Sequence, residues 1–412
     1  MPSPDGKKRK LAPESPPETM RAAVWRGDPD PSTMRVEELK TPTPKANEVL
    51  IKVKACGVCH TDLHCIKGQV PFPKPAVFGH EICGEVVAYG PITSGPTCGV
   101  CHPLPIGTKV MSPFIMPCGK CSFCQRGEED TCETFFRLNR GKGHLYDDTT
   151  RLVTAGADAE EVAMYSFAGM AEYAVVPATA VFALPEALID AGLYAESCVL
   201  GCAFFTAFGA IRNAAGIEPT PGGGSSAQGK SACVIGCGGV GGSLLQLLKH
   251  LGLGPILAVD VSDEALAQAK LLGADHTIKS SAETDAVARI AELTGGVKVD
   301  YCFEVIGLKQ TFEQAVMAVR DGGTACFIGI SDVRNKAEVP ITHIVRRRIS
   351  LVGSYGARAS RDMPALLKLA ADGAVDLKGG VTRRFGLAQA GEAYKLLSER
   401  RIVGRSIITF DE

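Results

Sequence analysis

Between Cys59 and Glu81 the sequence sets out Cys59-His60-Thr61-Asp62-Leu63-His64, then a short proline-rich connector, then Gly79-His80-Glu81. A thiolate, several imidazoles, a hydroxyl and two carboxylates in so short a span form the donor set of a zinc site that also moves a proton. Neighbours in sequence can still point apart, so this stretch alone leaves open which of these groups converge.

A second cluster is more specific. Cys118, Cys121, Cys124 and Cys132 follow one another with two, two and seven intervening residues in a loop rich in polar residues. Four thiolates at such spacing close a tetrahedron around zinc and leave no position for a substrate, so the expected role is structural. An iron–sulfur cluster held by four cysteines commonly uses other spacings. Cys56-Gly-Val-Cys59-His60 and Cys98-Gly-Val-Cys101-His102 both match the haem-attachment pattern. Haem attachment needs export to an oxidising compartment, and the chain has no signal-peptide pattern, so haem is set aside.

The third constellation is Gly236-Cys-Gly238-Gly239-Val240-Gly241. Glycines at this spacing are weak evidence alone. Here an apolar run, Ala232-Cys-Val-Ile235, precedes them, an amphipathic run from Gly242 to Leu251 follows, and Asp260 ends the next apolar run, Ile256 to Val259. That context predicts a dinucleotide fold. Gly236 permits the tight turn, Gly238 lets the backbone approach a pyrophosphate, Gly241 lets helix and strand pack closely, and the phosphates rest on the helix N-terminus. The Asp260 carboxylate accepts from ribose hydroxyls and repels a 2′-phosphate, with no Arg or Lys immediately after it. NAD is therefore favoured over NADP.

Positioning these groups takes two kinds of architecture. Arg21 to Trp25, Glu48 to Lys54, Gly84 to Tyr89 and Glu172 to Pro177 read as short β-branched strands bounded by Gly or Pro, which predicts a β-rich domain. Leu193 to Ala215 reads as a helix punctuated by small residues, and 219–229 as a Gly/Ser/Pro loop. From Ala232 onward, apolar strands alternate with amphipathic helices: 299–305, 324–330 and 350–354 are further strands, and Met363 to Ala371 is a further helix. This is the pattern of a parallel α/β sheet. The final strand, Arg405 to Phe410, is expected to rejoin the first domain.

At 412 residues two domains are expected, and the 45% hydrophobic content is that of an ordinary globular protein. A formal net charge of −1 gives no reason to expect nucleic acid or an anionic membrane as partner. The longest apolar run, Cys198 to Ile211, is too short for a bilayer and reads as buried. Sixteen cysteines in a chain of this length point to reduced thiols, some on metal and some in the core. Residues 1–19 have the composition of a disordered tail; Lys7-Lys8-Arg9-Lys10 within it reads as a solvated charge run, and the expected location is the cytoplasm.

Taken in order, these motifs resemble the zinc-containing medium-chain alcohol dehydrogenases over about Met20 to Phe410. The resemblance implies an α/β fold: a GroES-like catalytic domain (20–204 and 355–412) split around a Rossmann coenzyme domain (205–354). It implies two zinc ions per chain, one held by Cys59, His80 and Cys202 and a structural one held by Cys118, Cys121, Cys124 and Cys132. Glu81 would lie behind the catalytic metal, and Asp62 would orient the His80 ring. Thr61 and His64 would form a proton relay from a zinc-bound alkoxide while a hydride passes to NAD. Coenzyme contacts would come from His60, Thr206, Gly236, Gly238, Gly239, Val240, Gly241, Asp260 and Arg405. His60 stands where many family members have Arg to hold the pyrophosphate. Phe114, Met164 and Tyr165 would line the substrate pocket, and a homodimer or homotetramer is expected.

Within that superfamily two other activities stay open. A dehydrogenase of the glutathione–formaldehyde adduct needs a cation for the adduct's carboxylate, and Arg137 and Arg140 lie in the right region. An NADPH-dependent aldehyde reductase is disfavoured by Asp260. A binding protein with zinc fingers and a basic tail is opposed by the near-neutral charge, and a member that has lost catalysis is opposed by the three retained ligands.

Overall fold

The computed structural model describes residues 15–92, 103–220 and 223–410. The second C-x-x-C-H loop, Cys98 to His102, and most of the N-terminal tail fall outside these. Three sheets organise the chain. Two are β-rich and mixed, built from 19–183 plus the C-terminal strands; the third is wholly parallel and lies within 232–353.

The parallel sheet has six strands in the order His276–Lys279, Ile256–Asp260, Ala232–Ile235, Val299–Glu304, Val319–Phe327 and Ser350–Gly353. The two innermost nucleotide-side strands are almost continuously apolar and buried. Helices cover both faces of a parallel sheet, so its strands cannot alternate polar and apolar residues. The strand order reverses beside Ala232–Ile235, which puts the Gly-rich turn at the switch point where such sheets bind ligands.

In the seven-stranded sheet, strand Glu48–Val58 is central. It pairs antiparallel with Ile82–Tyr89, Tyr173–Pro177 and the C-terminal strand Arg405–Thr409. The registers decide the site. Ile82 faces Cys56, and Ser406 faces Val58. Cys59, His80, Glu81 and Arg405 therefore emerge at one end of three adjacent strands, although more than three hundred residues separate the first from the last.

Three local readings differ from the sequence expectation. The span from Leu193 to Ala215 is not one helix: a 3-10 segment, Glu196–Gly201, and an α-helix, Ala203–Gly209, meet at Cys202, whose φ of −137° and ψ of −63° break the spiral. The break lies where Gly201 presses on the Ser112 carbonyl, too close for any side chain, and where the Gly201 carbonyl accepts from Phe114 N at 3.0 Å. The nucleotide-side helix begins at Gly239 rather than Gly242, with Gly238 as its N-cap. After the helix Ala359–Ala371 the chain makes two more, Leu377–Gly380 and Ala390–Ser398; the second carries a residue that matters below.

Candidate active site

Cys59, His80, Glu81 and Cys202 bring one ligand atom each to within 4.8 Å of one another, and all four are buried. Cys59 follows the central strand directly and is the N-cap residue of helix His60–Ile66. His80 and Glu81 precede strand Ile82–Tyr89, and Cys202 comes in at the helix break. His80 Nδ1 donates to Asp62 Oδ1 at 2.9 Å, and Asp62 Oδ2 accepts from the Tyr394 hydroxyl at 2.7 Å. The Nδ1–H tautomer fixed in this way leaves His80 Nε2 with a free lone pair. That atom is buried and has no hydrogen-bond partner among the described residues. Donation from the Cys202 thiol and the charge of Arg405 outweigh burial and hold the Cys59 thiol well below the ordinary range. An orphaned imidazole nitrogen between two sulfurs, one favoured as thiolate, fits zinc.

Glu81 Oε1 lies 2.7 Å from Arg405 Nη2, and the same nitrogen is 3.5 Å from Cys59 Sγ. Gly57 makes room for this carboxylate, since a Cβ there would sit 2.7 Å from Glu81 Cδ. Arg405 also borders the nucleotide turn: a Cβ added at Gly239 would lie 3.0 Å from Arg405 Cδ. One side chain thus touches both the ligand cluster and the turn.

At that turn Gly236 has φ +99°, a conformation other residues rarely adopt. A side chain on Gly241 would collide with the Gly236 carbonyl, whereas one on Gly238 would meet nothing, so the open face lies at the start of the helix. Asp260 Oδ2 accepts from Cys237 N at 2.8 Å and Oδ1 from Ser262 N at 3.0 Å, fixing the carboxylate beside the turn. Val240 is in the first turn of the helix, and Thr206 is buried in Ala203–Gly209.

Thr61 Oγ1 is 3.4 Å from Cys59 Sγ at the rim of the cluster. His64, three residues on, shares its helix face. His64 Nδ1 pairs with Gln69 Oε1 at 2.6 Å, so in the neutral ring Nε2 is the proton acceptor. His60 is exposed. Of the expected pocket residues, Phe114 and Tyr165 set their rings edge-on to His80, with centroids 5.8 and 5.6 Å away. Met164 is also buried, but its Sδ lies 3.2 Å from Arg151 N, in contact with a neighbouring strand.

The four cysteines of the second predicted cluster, Cys118, Cys121, Cys124 and Cys132, also gather their sulfurs within 4.8 Å. Backbone N–H groups of Cys121 and Lys120 point at Cys118 Sγ, and those of Cys118 and Phe135 at Cys132 Sγ, at 3.3–3.5 Å. Such donors stabilise thiolates, and the set fits a closed zinc site. Cys56, by contrast, packs against Gly79 and Gly169, and burial pushes its thiol well above the ordinary range.

Tyr394 is a positioning residue that sequence reasoning missed, because nothing local marks a tyrosine 332 residues from its partner. Outer-shell carboxylates of metal-bound histidines are worth about 10–100-fold in metal affinity. Asp62→Ala is expected to weaken the catalytic metal by that factor in a chelator competition, and Tyr394→Phe to weaken it less. Equal metal retention in both variants and the parent would contradict the assignment.

The chain matches two family models: an alcohol dehydrogenase GroES-like domain over 45–186 and a zinc-binding dehydrogenase domain over 239–372. It is 30% identical over 393 residues to S-(hydroxymethyl)glutathione dehydrogenase of Saccharomyces cerevisiae, covering 92% of this chain and 94% of that protein. An alcohol dehydrogenase zinc-binding domain protein from Burkholderia ambifaria superposes with TM-score 0.82 at 29% identity, over 96% of this chain and 99% of the other. Benzyl alcohol dehydrogenase from Acinetobacter calcoaceticus gives TM-score 0.82 at 27% identity, over 96% and 100%.

Proposed function

This chain belongs to the zinc-containing medium-chain alcohol dehydrogenase family, and from that premise we propose that it transfers a hydride between NAD(H) and a primary or secondary alcohol/aldehyde pair. The observation that carries the reading is Arg405, which joins the ligand cluster to the nucleotide turn. Hydride transfer needs those two sites in contact. Cys59, His80 and Cys202 would hold the catalytic zinc, and Cys118, Cys121, Cys124 and Cys132 a structural one. When bound, the catalytic ion supplies Lewis acidity that lowers the pKa of a hydroxyl presented to it.

The protein's own groups do the rest. Thr61 Oγ1 accepts the alcohol proton as it releases its own hydroxyl proton onward, and His64 Nε2 is the acceptor that passes it toward solvent. Asp62 keeps the His80 lone pair aimed at the metal position. The start of the helix at Gly239 presents its N–H groups to the coenzyme pyrophosphate, and Asp260 selects the unphosphorylated ribose. Phe114 and Tyr165 form an apolar wall that excludes water from the reacting carbon. The reading is tested by assaying purified protein with NAD and NADP across alcohols and aldehydes, alongside metal analysis. Turnover favouring NAD with two zinc ions per chain is expected; NADP preference would remove the role given to Asp260.

His60 would contact the pyrophosphate without the permanent charge of an arginine, since loss of hydration and the nearby Arg405 lower its pKa to about 4. His60→Arg should therefore slow NADH dissociation in stopped flow, and an unchanged rate would refute the contact. A second reading, oxidation of the glutathione–formaldehyde adduct, is supported by the similarity to the yeast S-(hydroxymethyl)glutathione dehydrogenase. Turnover of S-(hydroxymethyl)glutathione far above that of simple alcohols would select it.

A further inference from the structure

The strand that delivers Arg405 lies next to the edge of the seven-stranded sheet, and the edge strand, Val381–Gly386, pairs with it so that Val381 faces Arg405. The chain enters that edge strand from the short helix Leu377–Gly380, capped by Asp376, whose Oδ1 accepts from Gly379 N at 2.8 Å. Residues 376–380 form a strap held by two helices of the coenzyme side. Gln246 Oε1, on helix Gly239–His250, accepts from Asp376 N at 2.6 Å. Gln268 Nε2, on helix Asp263–Leu271, donates to the Gly379 carbonyl at 3.3 Å.

Between strap and helices runs a crevice that reaches from these two glutamines to Gly238, Gly239 and Arg405. Its volume is about 20 Å³, room for about one water. Strap and helices therefore stand almost in contact. The strand itself is drawn against the strap at Gly404, where a Cβ would lie 2.9 Å from the Gly380 carbonyl oxygen.

The reaction outlined above uses neither glutamine. Gln246 is nevertheless buried, and buried amides are kept where they are hydrogen-bonded. The two bonds run in opposite senses: Gln246 gives an oxygen to a backbone N–H, and Gln268 gives an N–H to a backbone carbonyl. The backbone partners thus fix which end of each amide is used. They clamp the strap near both of its ends, and one residue beyond it Val381 pairs with Arg405.

We propose that Gln246 and Gln268 are positioning residues that clamp the strap to the coenzyme helices and so hold Arg405 beside the turn that receives the coenzyme pyrophosphate. This rests on the coenzyme role given to that turn above, and it adds the device that sets how fast the coenzyme leaves. With the strap clamped, Arg405 is already in place and binding spends little on ordering it. With the strap released, the sheet edge and the helices part, Arg405 loses its station against Gly239, and NADH leaves sooner.

The test measures NADH dissociation by stopped flow in the zinc-loaded protein, together with hydrogen exchange over residues 376–381. Gln246→Met removes the acceptor, and Gln268→Glu sets an acceptor against the Gly379 carbonyl. Each should raise the NADH dissociation rate roughly fivefold, the worth of one net hydrogen bond, and speed exchange in the strap, with zinc content unchanged. Gln268→Lys restores a donor and should return both readings toward the parent. NADH released at the parent rate by both Gln246→Met and Gln268→Glu would overturn the proposal, as would Gln268→Glu and Gln268→Lys behaving alike. Parent protein that binds no NADH would instead overturn the coenzyme reading itself, and the proposal with it.

Discussion

Cys202→Ala is expected to remove one zinc ion per chain and to lower kcat/KM by about 1,000-fold or more, since Lewis-acid stabilisation is worth several kcal/mol and each 1.4 kcal/mol is tenfold. The substitution is small and sits at a helix start that already departs from helical geometry, so the fold should persist and circular dichroism should be unchanged. What is lost is one corner of the cluster. Cys59, His80 and Glu81 remain, and with them a competing arrangement in which the Glu81 carboxylate takes the metal. The pairing of Glu81 with Arg405 argues against it in the resting enzyme, because that carboxylate would have to leave a buried cation unpaired. If Cys202→Ala keeps both ions and stays within tenfold of the parent, while Glu81→Gln loses one, the ligand set must be redrawn with Glu81 in it.

The four-cysteine lobe should respond in a different currency. Between Cys118 and Cys132 the chain has only a four-residue helix, Ser122–Gln125, and a 3-10 turn, Glu129–Thr131. So little regular structure cannot hold a loop by itself, and structural zinc contributes its binding free energy to folding. The lobe also docks onto the rest of the protein: Glu129 Oε2 accepts from Ser360 N at 2.8 Å at the start of helix Ala359–Ala371, and Arg358 pairs with Asp130 at 3.3 Å. Cys124→Ala is expected to release one zinc ion, to lower the melting temperature by roughly 3–5 °C for a few kcal/mol lost, and to leave turnover at low temperature within a few-fold of the parent. An unchanged melting curve with two ions retained would show that these sulfurs hold no metal.

Much of this site is legible in the sequence because its parts are local. The His60 to His64 run, the four cysteines and the Gly-rich turn each carry their chemistry within a few residues, and strand, turn and helix follow directly around the last. What is not legible depends on strand register and on distant contacts. Arg405 reaches Cys59 only because Ser406 pairs with Val58. Tyr394 reaches Asp62 from a helix that has no conspicuous pattern. The break at Cys202 is hidden for a similar reason. Its apolar run reads as continuous helix, and only the close approach of Gly201 to Ser112 interrupts it.

The most direct measurement follows the hydride itself. An alcohol that supports turnover is prepared with deuterium on the carbinol carbon and incubated with the zinc-loaded protein and NAD, and the reduced coenzyme is analysed by NMR. The account predicts that the label appears at C4 of the nicotinamide ring, on one face only, and that Cys202→Ala abolishes the transfer. Substrate oxidised without label in the coenzyme, or no alcohol oxidised by protein carrying both zinc ions and bound NAD, would contradict it.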